Sequence, residues 1–169
     1  MLTFLNLEAE GFCSIESLHL QLNPTCTILI KAPNGKGKST ILSALVWAIY
    51  GKNLKGVSEV NTWKQVRSKD YKGTKVQVYF QKDSHTYKIV RCQKYDEVLE
   101  DGDKGKDRLI FMKDGDIVDI KGKGKIQDFI NREIGLSYTL FMNSIMFGQG
   151  IKRLIQESNS DKKKIFEIG

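Results

Sequence analysis

The stretch Lys31-Ala-Pro-Asn-Gly-Lys-Gly-Lys-Ser-Thr40 decides how the chain reads. An apolar run, Thr27-Ile-Leu-Ile30, leads into it, and a helix-like pattern, Ile41-Leu-Ser-Ala-Leu-Val-Trp-Ala-Ile-Tyr50, follows it. Strand, glycine-rich turn and helix in that order are the context of a phosphate-binding loop. A turn with little side-chain bulk aims several backbone N–H groups inward, and the helix that starts there adds unpaired donors and a positive dipole end. In that pattern Lys38 reaches the terminal phosphates of a nucleotide and the Ser39 hydroxyl holds Mg²⁺. The alternative, a Lys/Gly surface turn, does not account for the flanking strand and helix patterns. One letter departs from the motif: Ala32 stands where the first glycine belongs. A Cβ there costs roughly 1 kcal/mol if the backbone has positive φ, and little otherwise.

Working outward, the N-terminal side shows two strand patterns around a bend. Leu2, Phe4, Leu5, Leu7 and Ala9 alternate loosely, Gly11-Phe-Cys-Ser-Ile15 interrupts, and Leu18, Leu20 and Leu22 alternate cleanly. Asn23-Pro24 turns the chain into Thr25–Ile30, whose β-branched, apolar character predicts a central, buried strand. On the C-terminal side, Gly51 closes the helix. Residues 51 to 73 are polar and irregular. Thr74–Phe80 and Thr86–Cys92 predict a hairpin, and Arg108–Met112 with Ile117–Ile120 a second one around Lys113-Asp-Gly-Asp116. Glu100–Asp107, between the hairpins, reads as an exposed loop. Helices are predicted at Ile126–Ile134, ended by Gly135, at about Ser137–Met146, and from Ser158 to the end of the chain.

The 169 residues carry 27 Lys and Arg against 20 Asp and Glu, a net charge of +7 that favours a polyanionic partner. Cys13, Cys26 and Cys92 are too few and too scattered for a disulfide framework or a zinc site, which points to a reducing cytoplasm. No run approaches the roughly 20 apolar residues of a membrane span. Met1 opens directly on a strand pattern, so no leader is expected. Neither Leu109–Asp114 nor Glu100-Asp101 makes a convincing acidic strand of the kind that holds Mg²⁺ and poises water in a hydrolysing enzyme. The loop therefore reads as half of a catalytic site. The last helix has no later apolar partner, so the chain reads as a segment of something longer.

Taken together, Gly11-Phe-Cys-Ser-Ile15, the Leu18/Leu20/Leu22 alternation, the run Thr27 to Gly51, and Phe147-Gly-Gln-Gly150 with Ser160–Glu167 resemble the N-terminal head segment of SMC-like ABC-type ATPases. Closest are the SbcC-type subunits of double-strand-break repair nuclease complexes, including the large subunit of phage recombination endonucleases. The resemblance covers nearly all of residues 1–169. It implies an α/β P-loop NTPase of ABC-ATPase head type: an N-terminal lobe with a mixed sheet and antiparallel hairpins packed on helices. About residue 160 onward would begin a helix leading to a coiled coil.

The resemblance also implies the machinery. ATP and Mg²⁺ are the cofactors. Ser14 joins Asn34, Gly35, Lys36, Gly37, Lys38, Ser39 and Thr40 in holding the nucleotide, and Gln149 joins Ser39 at the metal and Lys38 in catalysis. Partners would be a C-terminal ATPase lobe, a second copy of the head sandwiching ATP, a metallophosphoesterase nuclease subunit and double-stranded DNA, with no membrane and a cytoplasmic location. Many such proteins carry Arg where this chain has Cys13, which cannot supply that charge. DNA contact would fall to Lys52, Lys55, Lys64, Arg67, Lys121, Lys123 and Lys125. Two rival readings share the loop: the head of an SMC-type clamp or tether without a nuclease, and a self-contained P-loop kinase or NTPase.

Overall fold

The computed structural model describes residues 1–22, 25, 27–34, 36–62, 67–120 and 122–144. Strands β1 (Leu2–Phe12) and β2 (Ile15–Gln21) form the first hairpin, and helix α1 (Lys38–Tyr50) follows the glycine-rich loop. After an irregular stretch come β3 (Thr74–Lys82), β4 (His85–Gln93), the short pair β5 (Tyr95–Val98) and β6 (Lys104–Lys106), then β7 (Leu109–Lys113) and β8 (Asp116–Ile117). Helices α2 (Lys123–Ile134) and α3 (Tyr138–Ser144) complete the described chain. Six strands make one sheet in the order β2-β1-β3-β4-β7-β8, and β5-β6 make a second. Among the described residues every strand pairing is antiparallel.

The period-2 patterns become two faces. Leu7, Ala9, Val76, Val78, Phe80, Tyr87, Ile89 and Phe111 line one face of the sheet and bury against α1, α2 and α3. Val90, Cys92 and Ile110 line the other, under Tyr95. Aromatic rings knit the main core: Phe80 stacks on Tyr87 with centroids 4.9 Å apart, and Phe4 and Tyr50 meet Phe141 edge-on at 6.2 and 5.4 Å. From Ala44 to Tyr50 every residue of α1 is buried, so this half of the helix is enclosed rather than laid on a surface. The last turn closes as expected, with Gly51 in the left-handed region and its N–H donating to Trp47 O at 2.8 Å.

Three expectations need correction. Thr25–Ile30 is not the central buried strand that its composition suggests. Residues 27–30 belong to no strand, and Ile28 and Leu29 are 39% and 73% exposed. A strand is stabilised by neighbours that pair its N–H and C=O groups and cover its side chains; among the described residues no strand pairs with this run. The Glu100–Asp107 segment is more ordered than a loop, because Lys104–Lys106 pairs with β5. Gly105 packs close to the Tyr95 side chain, where a Cβ would come within 2.6 Å of the ring, and Arg108 forks between Asp101 and Asp103. The second hairpin is also shorter than predicted, with β8 ending at Ile117.

One close approach shapes the bend that leads to the site. Gly11 has φ +60, and a Cβ there would lie 2.2 Å from Gly73 O; Gly73 in turn has φ +107, and its Cβ would lie 2.1 Å from Lys94 O. These two glycines let β1, β3 and the end of β4 converge beneath the bend. Gly11→Ala is expected to lower stability by about 2–4 kcal/mol through clash and strain together. Gly56→Ala, at φ +76 but with nothing within 4 Å, should cost only about 1 kcal/mol. Urea unfolding of the two variants checks the order.

Candidate functional site

The glycine-rich loop closes on itself through its lysine. The Lys38 ammonium donates to Ala32 O at 2.6 Å and to Pro33 O at 3.0 Å, bridging back across the loop to its entry. Lys36 N–H adds a turn bond to Pro33 O at 3.3 Å. A charge that would otherwise sweep through solvent on a four-carbon stem is thus held at the loop. Ala32 is not among the left-handed non-glycine residues of the described chain, which are Cys13, Asp83, Ser84, Lys94, Lys106 and Asp114. Its Cβ therefore carries no left-handed backbone strain.

Helix α1 begins at the loop's end with an open N-terminus. Gly37 caps it at φ 85, with no side-chain cap bond and no acidic residue in the first turn. Thr40 and Ile41 N–H both donate to Gly37 O, at 3.0 and 3.3 Å. The Lys38 and Ser39 amides precede these first helical bonds, and they are the donors that an anion at a helix N-terminus takes up. Asn34, Lys36 and Ser39 are exposed around them. A triphosphate fits this donor set: an ammonium, open amides and a positive dipole end, with no competing carboxylate in the first turn.

The β1–β2 bend supplies the flank. Ser14 Oγ donates to Thr40 Oγ1 at 3.3 Å, and a Cβ on Gly37 would approach Ser14 Oγ to 3.0 Å. Ser14 is thus brought against the loop from 26 residues away. Cys13, beside it, has φ 51 and directs its amide to Val60 O at 3.1 Å. Burial pushes its thiol up from the ordinary range, so it is neither a cation nor a thiolate at this flank. Gly35 and Gln149 lie outside the described residues.

The acidic candidates are engaged elsewhere. Asp114 sits at φ 51 in the β7–β8 turn, where it accepts from Thr86 N–H at 2.8 Å and lies 2.6 Å from His85 Nδ1. The Thr86 amide, then His85, holds its carboxyl below the usual carboxylate range. This is a turn-locking aspartate. Glu100 pairs with Lys88.

Of the basic candidates, Lys52 and Lys55 are exposed in the loop after α1, and Lys125 is exposed near the start of α2. Gln127 Nε2 donates to Ile49 O at 2.9 Å, which sets the start of α2 beside the start of that loop. Arg67 is committed to the fold, donating to Thr62 O at 3.0 Å and lying 4.3 Å from the Tyr71 ring centre. Lys64 and Lys121 fall outside the described residues, and only the backbone of Lys123 is described. None of the described helices is long and apolar enough to cross a membrane.

Sequence reasoning missed Arg91, which is 6% exposed on the core face of β4. Its signal was there: Arg91 falls in step with Tyr87 and Ile89, at a position where the alternation calls for an apolar side chain.

A family model described as AAA domain (AAA_23) matches residues 6–168. The chain is 29% identical over 166 residues to a probable DNA double-strand break repair Rad50 ATPase of Aquifex aeolicus, covering 97% of this chain and 16% of that protein. It is 27% identical over 154 residues to exonuclease subunit 2 of Escherichia phage RB69, covering 89% of this chain and 25% of that one. A Rad50 ATPase of Methanopyrus kandleri shares 23% over 167 residues, covering 95% of this chain and 18% of the relative. The chain thus spans a quarter or less of the length of these relatives. Among solved structures, the recombination mediator protein RecF with ATP superposes with a TM-score of 0.50 at 19% identity, over 74% of this chain and 30% of that one. The fold is of the P-loop ATPase type, α/β.

Because Ala32 is unstrained, Ala32→Gly should bring no gain. We expect thermal unfolding to show a loss of about 0.5–1 kcal/mol from added chain entropy, with nucleotide affinity unchanged within about twofold.

Proposed function

Because this chain belongs to the AAA domain family AAA_23, we propose that it is the ATP-binding lobe of a DNA-repair ATPase head. The observation that carries this is the self-closed loop at an open helix N-terminus, with Lys38 bonded to Ala32 O and Pro33 O. In this reading the amides from Asn34 to Ser39 cradle the phosphates, Lys38 neutralises their charge, and Ser14 and Thr40 border the nucleotide from the bend. The Ser39 hydroxyl and Gln149 hold Mg²⁺, which supplies charge stabilisation at the phosphate oxygens. The chain's own part is positioning and electrostatics, the main contributions in phosphoryl transfer.

The exposed run at 27–30 supports a composite site. It is apolar, unpaired in either sheet and directly attached to the loop. A second, C-terminal lobe would lay a strand along it and bring the acidic residue that the described segment lacks near the loop. A second copy of the head would close over the nucleotide. The names of the relatives, which speak of double-strand break repair and of an exonuclease, support a metallophosphoesterase nuclease partner and double-stranded DNA as the polymer served. A cytoplasmic location belongs to the same reading. Lys52, Lys55 and Lys125 are the exposed cations best placed to meet DNA phosphates.

Calorimetry on the isolated chain should detect Mg-ATP binding, and Lys38→Met should weaken it at least about tenfold, the loss of one charge-assisted contact. Turnover by the isolated chain should stay at background and rise when the C-terminal lobe is added. Turnover as fast as that of a complete ATPase without any second lobe would sink the composite reading.

DNA binding should weaken steeply with salt. Replacing Lys52 and Lys55 by Gln should make the slope of log K against log salt shallower by about one to two units. An unchanged slope would mark both lysines as plain solvated surface.

A further inference from the structure

The residue with no role in the reading above is Arg91, a buried cation at the far end of the phosphate-loop helix. Its Nε donates to Ala48 O at 2.9 Å and its Nη2 to Ile49 O at 3.2 Å, which satisfies carbonyls of the last turn of α1. The same Nη2 donates to Gln127 Oε1 of α2 at 2.5 Å, while Gln127 Nε2 donates to Ile49 O and, at 3.0 Å, to Asn131 Oδ1. The guanidinium lies 5.9 Å from the Trp47 ring centre, and Gly51 makes room for it: a Cβ there would come within 3.0 Å of Nη1.

No carboxylate takes part in these contacts. The partners of the cation are the negative end of the α1 dipole, two carbonyls, an amide oxygen and a ring face. Burial lowers its pKa to about 10, which leaves it charged at neutral pH. Where packing alone is required, an apolar side chain of similar volume does as well as a buried charge, or better. A cation here instead fixes one specific geometry, because a guanidinium has its donors in a rigid fork.

We infer that Arg91 is a positioning residue for the phosphate loop: by fastening the C-terminal end of α1 to α2, it fixes where the other end of α1 presents its amides. A 13-residue helix is a rod of about 20 Å, enclosed along half its length, so its two ends move together. A displacement of about 1 Å at the loop is enough to cost a large factor in binding or rate. This inference rests on the phosphate-site reading and adds to it a residue that touches no nucleotide.

The test compares Arg91→Met, Arg91→Lys and Gln127→Ala with Val90→Ala, a core truncation on the opposite face of the same strand. Two quantities are read: the Mg-ATP dissociation constant, and, without nucleotide, hydrogen exchange at the Thr40 and Ile41 amides. Arg91→Met should weaken Mg-ATP by about tenfold or more and speed exchange at both amides. Arg91→Lys should recover part of each effect, and Val90→Ala should leave both within about twofold despite lowering the melting temperature. A folded Arg91→Met that binds like the wild type overturns the inference, as does an equal loss in Val90→Ala. If Arg91→Met does not fold, Gln127→Ala decides by the same criteria. A wild-type chain that binds no Mg-ATP sinks the phosphate-site reading instead, and the exchange arm still decides whether Arg91 holds α1.

Discussion

The two ends of α1 impose opposite demands, and the rest of the structure answers to them. A helix carries unpaired N–H groups and partial positive charge at its start, unpaired carbonyls and partial negative charge at its end. The start of α1 is left bare: glycine at the cap, no acid in the first turn, a lysine folded over the entry. At the end, Gly51, Arg91 and Gln127 take up the carbonyls of Trp47, Ala48 and Ile49. One helix thus combines an uncapped start with an end enclosed in the core.

What seals the end also orders the neighbouring helices. Tyr50 OH donates to Leu136 O at 2.9 Å, across the connection between α2 and α3, and its ring meets Tyr138 and Phe141. Tyr138 OH reaches back to Asn53 O at 2.8 Å, beyond the helix end. Asn53 in turn folds the following loop, its side chain accepting from the Lys55 and Val57 amides. The segment that carries Lys52 and Lys55 is therefore shaped by the same end of α1 that Arg91 holds.

Much of this was legible in the sequence because it depends on local periods. The hairpins at β1–β2, β3–β4 and β7–β8, the helices α1 and α2 and their glycine stops all follow from alternation, helical spacing and turn chemistry. The glycine-rich turn and the helix after it followed from glycine spacing and helical period, whereas the strand expected before the turn is not one at residues 27–30. What was not legible depends on partners distant in sequence. Residues 27–30 have strand composition, but a strand needs a neighbour, and composition does not report one. Ser14 meets Thr40 from 26 residues away, past a bend whose close approach needs two glycines, Gly11 and Gly73. Arg91 was visible as a charge in an apolar register, yet nothing local says that its counterpart is a helix terminus. The β5–β6 pair hides in a charged stretch whose order comes from Gly105 against Tyr95 and from the Arg108 fork.

The exposed run at Thr27–Ile30 has a consequence for how the polypeptide behaves in solution. A β-prone, apolar segment outside any described strand is the kind of surface through which chains stick to one another. One feature limits the hazard: Lys31 follows the run at once as a charged gatekeeper. The residue that leads into the glycine-rich loop thereby also limits the reach of an adhesive segment.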